Sequence, residues 1–136
     1  MRQALEQAVR RIAADRCEYC LIPELALQLK HVLDHIVARQ HGGKSELENL
    51  ALSCGRCNQS KGPNIAGTDP NTGRLTRLFN PRADTWSQHF RYENGILLGL
   101  TDVGRTTVIV LAINRPLRVA VRQSLIEIGI KFASHA

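Results

Sequence analysis

All four cysteines of this 136-residue chain fall in two Cys-x-x-Cys knuckles, Cys17-Glu18-Tyr19-Cys20 and Cys54-Gly55-Arg56-Cys57. A knuckle of this spacing turns two thiolates toward one point, and two knuckles supply the tetrahedral four-sulfur set of a structural Zn2+. Such a site is closed, so it holds a fold together and does no chemistry. Disulfide pairing is the competing reading; it needs an oxidising compartment, whereas a reduced chain uses this spacing for metal. The longest apolar run, Val108 to Ile113, is far shorter than the roughly 18 residues of a membrane helix. The Met1-Arg2-Gln3 start also lacks the apolar core of a secretory signal, so a soluble, cytoplasmic protein without membrane contact is expected. The interval between the knuckles is longer than in an ordinary zinc ribbon, which calls for something folded between them.

That insertion contains Asp34-His35-Ile36, then Gly42-Gly43 and Asn49-Leu50, and the second knuckle continues into Asn58-Gln59-Ser60-Lys61-Gly62. Leu27 to His35 is apolar enough for a strand, Gly42-Gly43 permits a loop, Leu50 to Leu52 forms a second short strand, and Gly55 to Lys61 suits one or two helical turns. The order is β, β, α. Neighbouring side chains diverge along a strand, so Asp34 and His35 can serve one site only where the strand ends or bulges.

In this order the motifs resemble the HNH endonucleases of the His-Me finger, or ββα-metal, group, with the core match over residues 16–62. Leu78-Phe79-Asn80-Pro81-Arg82, Trp86, His89-Phe90 and Gly99-Leu100-Thr101 through Gly104-Arg105 resemble the tail of a zinc-stapled bacterial subgroup. The resemblance implies a nuclease in which His35 is the general base and Asp34 and Asn58 hold a catalytic Mg2+ or Mn2+. Asn49 would hydrogen-bond across the loop and fix the backbone carrying His35, and double-stranded DNA would be cut with little sequence specificity. A single module of this kind nicks one strand, and monomer and homodimer are both compatible with the sequence. Two departures stand out: Ala38 replaces a common proline, and no carboxylate or histidine follows Asn58 as a third ligand, so weak, exchangeable metal binding is expected. Lys61, on the face of Asn58, together with Arg39, Lys44 and Arg56, are candidate phosphate contacts. The alternative is a non-cleaving zinc-containing DNA-binding or protein-adaptor module, which has no need of a base beside a carboxylate; an RNA substrate would use the same residues.

The net charge of +6 favours a polyanionic partner. It is concentrated at the end: residues 63–136 carry nine basic and five acidic side chains, eight of the nine being arginine, and are expected to track phosphates. Around the zinc module (16–62), residues 1–15 predict an amphipathic helix on Leu5, Val9 and Ile12. Residues 63–136 predict an ordered connector to Asn80, a hairpin turning at Asn94-Gly95, a helix capped by Thr101, and a last helix from Arg115 or Pro116 to Ile128 with Leu117, Val121, Leu125 and Ile128 turned inward. Trp86, Phe90 and Tyr92 are expected to form a small core rather than stack on bases. The fold class is α+β, all three parts packing as one domain.

Overall fold

A computed structural model describes residues 2–132; His135, to which no role is assigned, lies outside them. The elements are α1 (Arg2–Ala13), β1 (Val32–His35), β2 (Leu50–Ser53), α2 (Gly55–Lys61), β3 (Ala66–Thr68), β4 (Leu75–Arg77), α3 (Trp86–His89), β5 (Phe90–Glu93), β6 (Ile96–Gly99), α4 (Asp102–Val110) and α5 (Pro116–Glu127). The strands pair as three antiparallel hairpins, β1 with β2, β3 with β4 and β5 with β6. This is a small α+β fold in which β1, β2 and α2 form the ββα unit and four cysteines converge beside it.

Helix α1 covers β2 through Val9 and Ala13, which close over Leu50 and Leu52 with Leu5 at the margin. Ile12, which helical spacing places on the same stripe, is 49% exposed because Ala13 occupies the contact. The first strand is shorter than the apolar run suggests. Pro23 opens a 3-10 turn at Glu24–Ala26, and Glu24 Oε2 accepts from the His31 amide and from Arg10 Nη1, both at 2.7 Å. These bonds fold residues 24–31 back, so β pairing starts only at Val32.

The connector also has structure of its own. Its short strands β3 and β4 have little alternation, but they lie on α4, where a Cβ on Gly67 would come within 2.4 Å of Val110. Buried Asp69 organises the turn, accepting from Arg105 at 3.0 and 2.9 Å, from the Asn71 amide and from the Thr72 hydroxyl. In the next hairpin Asn94 and Gly95 both adopt positive φ, 50° and 80°, the geometry of a type I′ turn. Gln88 and His89, just before the first strand of this hairpin, close one helical turn, α3. The Trp86, Phe90 and Tyr92 rings pack together, with centroids 5.3 and 6.0 Å apart.

Thr101 caps α4 by accepting from the Gly104 amide at 3.0 Å. The final helix occupies its expected span, and Leu125 packs against the core as expected, but the rest of its inward face differs. Leu117 and Ile128 are 65% and 76% exposed, whereas Arg118 and Arg122 are buried. The cause lies at the end of α4, where the carbonyls that close a helix need donors. Arg118 Nη1 donates to Leu111 O at 2.7 Å and to Ala112 O at 3.1 Å, and Arg122 donates to Ile113 O and Gly95 O at 2.9 and 2.8 Å.

Candidate active site

The Sγ atoms of Cys17, Cys20, Cys54 and Cys57 all lie within 4.8 Å of one another. The Cys20 and Cys54 sulfurs are 3.7 Å apart, matching the edge of about 3.8 Å of a tetrahedron built on Zn–S bonds of about 2.3 Å, and far beyond a disulfide bond of about 2.05 Å. Hydrogen bonding to Cys17 holds the Cys20 thiol well below its usual range; the same kind of bond pushes Cys54 far up, and burial raises Cys57. A dication bound by these thiols displaces their protons. Arg118 Nη2 also donates to Cys57 Sγ at 3.0 Å, a buried cation aimed at a sulfur that becomes an anion as a ligand.

The cluster is tied into its surroundings at each knuckle. Glu18 accepts from the Leu52 amide at 2.7 Å and pairs with Arg82, so the first knuckle is docked on β2. Tyr92 OH donates to Cys20 O at 2.6 Å and Trp86 Nε1 to Tyr19 O at 2.9 Å, so α3 and the third hairpin together clamp the same knuckle. Cys54 is the N-cap of α2, accepting from Cys57 N, which starts the helix carrying Asn58 and Lys61 at the metal cluster.

β1 ends at His35, opposite Leu50, and beyond it only Ile36 N still bonds across, to Asn49 O at 2.9 Å. The loop that follows is closed by Asn49: its Oδ1 accepts from Val37 N at 2.8 Å, and its Nδ2 donates to Val37 O and Lys44 O, both at 3.0 Å. The loop is so tight that a Cβ on Gly43 would fall 1.7 Å from Val37 O. Only glycine fits there. His35 is half-buried, and its Nε2 lies 2.9 Å from Ser45 Oγ. Partial burial, and then the Arg39 cation, lower its pKa below 6.5, so the ring is largely neutral at pH 7.

Asp34 faces the other way. It is 4% exposed; Oδ2 accepts from Tyr19 OH at 2.7 Å, and the carboxylate pairs with Lys61 Nζ at 3.2 Å. Burial raises its pKa, opposed by Lys61 and the Tyr19 hydrogen bond. Lys61 is itself 1% exposed and donates to Asp34, His35 O and Ile36 O at 3.3, 3.2 and 3.1 Å. An ammonium has three donors, and all three are used here. Lys61 therefore braces the end of β1 from inside and has no free donor for a phosphate, a correction to its expected position. Asn58, one turn earlier on α2, is half-buried, and its side chain makes no hydrogen bond among the described residues. No side-chain hydrogen bond among those residues joins Asp34, His35 and Asn58 to one another.

Of the other basic candidates, Arg39, Lys44 and Arg56 are exposed. The arginine-rich tail is largely committed elsewhere: Arg77 pairs with Asp84, Arg82 with Glu18 and Arg105 with Asp69, and Arg118 and Arg122 are buried. A continuous phosphate track along it is therefore absent among the described residues. Tyr19, Ser45 and Arg118 belong to the site without having been picked out from sequence. Tyr19 sits inside a knuckle where spacing speaks only for the cysteines, Ser45 lies in a loop whose closure depends on Asn49, and Arg118 lies among tail arginines expected only to track phosphates.

Residues 17–64 match the family model described as HNH endonuclease. Septu protein PtuB of Bacillus thuringiensis is 39% identical over 67 residues, a stretch covering 49% of this chain and 23% of that protein. The match thus spans under a quarter of that relative's length. No solved structure matches.

Proposed function

Since residues 17–64 of this chain match the HNH endonuclease family model, we propose that the protein is a metal-dependent endonuclease that hydrolyses DNA phosphodiester bonds, nicking one strand at a time. The observation that carries this is His35: a half-buried, largely neutral imidazole at the end of a strand, on a loop cross-braced by Asn49. A neutral imidazole is the form that accepts a proton, a role worth roughly 10²–10⁴-fold in rate.

His35 takes a proton from water, the resulting hydroxide oxygen bonds to phosphorus, one P–O ester bond breaks, and the departing oxygen is protonated from solvent. Ser45 orients the His35 ring through Nε2, leaving Nδ1 for the water, and Lys61 fixes the carbonyls on either side of the strand end. Asn49 keeps the loop from opening.

Asp34 and Asn58 are the residues that would hold Mg2+ or Mn2+. The donor set fits a hard ion, with one carboxylate and one amide oxygen that has no other partner, although Asp34 is already neutralised by Lys61. That competition favours weak, exchangeable binding. When bound, the ion polarises the phosphate as a Lewis acid. The four cysteines hold structural zinc.

A supercoiled-plasmid assay on zinc-loaded protein tests the reading. Nicking should require added Mg2+ or Mn2+, stop in EDTA, and fall at least about tenfold in folded Asn58→Ala. Cleavage that is unchanged in EDTA and in Asn58→Ala would overturn the metal assignment; a folded wild type that binds DNA without ever cutting would overturn the enzyme.

A further inference from the structure

On the face of α2 turned away from Asn58 and Lys61, the side chains of Arg56, Gln59 and Ser60 sit at helical i, i+3 and i+4 spacing. They meet Arg115 and Arg118 at the start of α5 to line a cleft of about 410 Å³. Three of its five lining residues are arginine, the other two are polar, and none is acidic. These arginines differ from most of the tail in what they face. Arg77, Arg82 and Arg105 each face a carboxylate, whereas Arg56 and Arg115 have neither an ion pair nor a side-chain hydrogen bond among the described residues.

The unpaired cations of Arg56 and Arg115 converge on one cleft and repel one another unless an anion joins them. The third, Arg118, is buried and fixed in place by Leu111 O, Ala112 O and Cys57 Sγ, so one wall of the cleft is rigid. The first turn of α5 opens at the same place with no side-chain cap, adding the partial positive charge of a twelve-residue helix.

We propose that this cleft is a phosphate-binding site, separate from the His35 hairpin, that takes a backbone phosphate of the bound nucleic acid. The planar forks of Arg56 and Arg115 supply bidentate donors, and Gln59 and Ser60 supply neutral ones, a combination suited to a tetrahedral oxyanion. The choice of a backbone phosphate rests on the nuclease reading; the phosphate chemistry does not, and a soluble phosphoryl compound would present the same oxygens. The site lies behind α2, so a strand gripped there is held on the side opposite the hairpin that carries His35.

The test uses the full chain, zinc-loaded, in a His35→Ala background, so that binding is read without cleavage. Arg56→Gln with Arg115→Gln removes two exposed charges, and Arg74→Gln with Arg91→Gln removes two exposed charges elsewhere as the control; Arg118 is left alone because it supports Cys57. Affinity for a 20-base-pair duplex is measured against salt, and inorganic phosphate is titrated in parallel by 31P NMR. The cleft pair should weaken duplex binding at least about tenfold and lower the slope of log K against log salt by about one, the control pair doing neither. Phosphate binding lost in the cleft pair with duplex affinity intact would retain the site and assign it to a soluble phosphoryl compound. Equal effects from both pairs, or none from the cleft pair in either assay, would overturn the proposal. A wild type that fails to nick while the cleft effect persists overturns the nuclease reading alone.

Discussion

Helices α1 and α5 are both twelve residues long, α1 lying on β2 and α5 against the end of α4 and the cysteines, and they are held by opposite means. Helix α1 turns Val9 and Ala13 inward onto Leu50 and Leu52, so hydrocarbon meets hydrocarbon. Helix α5 turns Arg118 and Arg122 inward and leaves Leu117 and Val121 65% and 40% exposed. The difference follows from what each helix meets. β2 offers α1 an apolar face, whereas the end of α4 and the cysteine cluster offer α5 carbonyls and a sulfur, which only donors can satisfy. One helix is stabilised by removing surface from water, the other by supplying charge to a metal site.

Zinc removal should expose this difference most strongly. Structural zinc contributes apparent folding free energy of about 10–16 kcal/mol, so a strong chelator should abolish cooperative melting and release α5 along with the knuckles. Circular dichroism and amide exchange with and without chelator check this; identical melting in both conditions would remove zinc from the account. Next in size is Arg118→Met. It leaves buried Leu111 O without this donor, leaves Ala112 O with only the Arg115 amide at 3.3 Å, and takes the cation from Cys57, an expected loss of about 2–4 kcal/mol, with zinc leaving to a competing chromophoric chelator about 10–100-fold more readily. Stability lost without any change in zinc release would reduce Arg118 to a helix-end donor. Val9→Ala deletes two buried methyl groups and should cost about 2 kcal/mol by urea melting while leaving zinc release unchanged. Leu117→Ala, at the matching apolar position of α5, should stay within about 0.5 kcal/mol. A larger loss there would mean that α5 is held by its apolar stripe after all.

The same contrast explains what the sequence could convey. The ββα order, the convergence of the four cysteines, the Asn94-Gly95 turn and the Pro116 helix start are local, since spacing and backbone preference are properties of neighbours in the chain. Which face of α5 turns inward is not, because it depends on the carbonyls of Leu111, Ala112 and Ile113 and on Cys57, which become its neighbours only in the folded chain. The β3–β4 hairpin was hidden for a like reason, its strands being held by α4 and by Asp69 with Arg105 rather than by their own pattern. At the site, Asp34, His35, Asn49 and Asn58 stood out by their order along the chain. Lys61 sits at the helical spacing that suggested a phosphate contact, but its length lets it reach back to Asp34 and two strand-end carbonyls, a choice sequence does not record.

The role of His35 is tested most directly by the pH dependence of plasmid nicking, measured from about pH 5 to 8 on folded, zinc-loaded wild type and His35→Ala with Mg2+ or Mn2+ present. A general base works deprotonated, and burial together with Arg39 lowers the His35 pKa below 6.5. Wild-type activity should therefore rise with pH, with its midpoint below 6.5, and be level by neutrality, while the folded mutant loses about 10²–10⁴-fold and the rise with it. A mutant that keeps the same rate and the same profile would contradict the account, leaving His35 a structural residue at the end of β1.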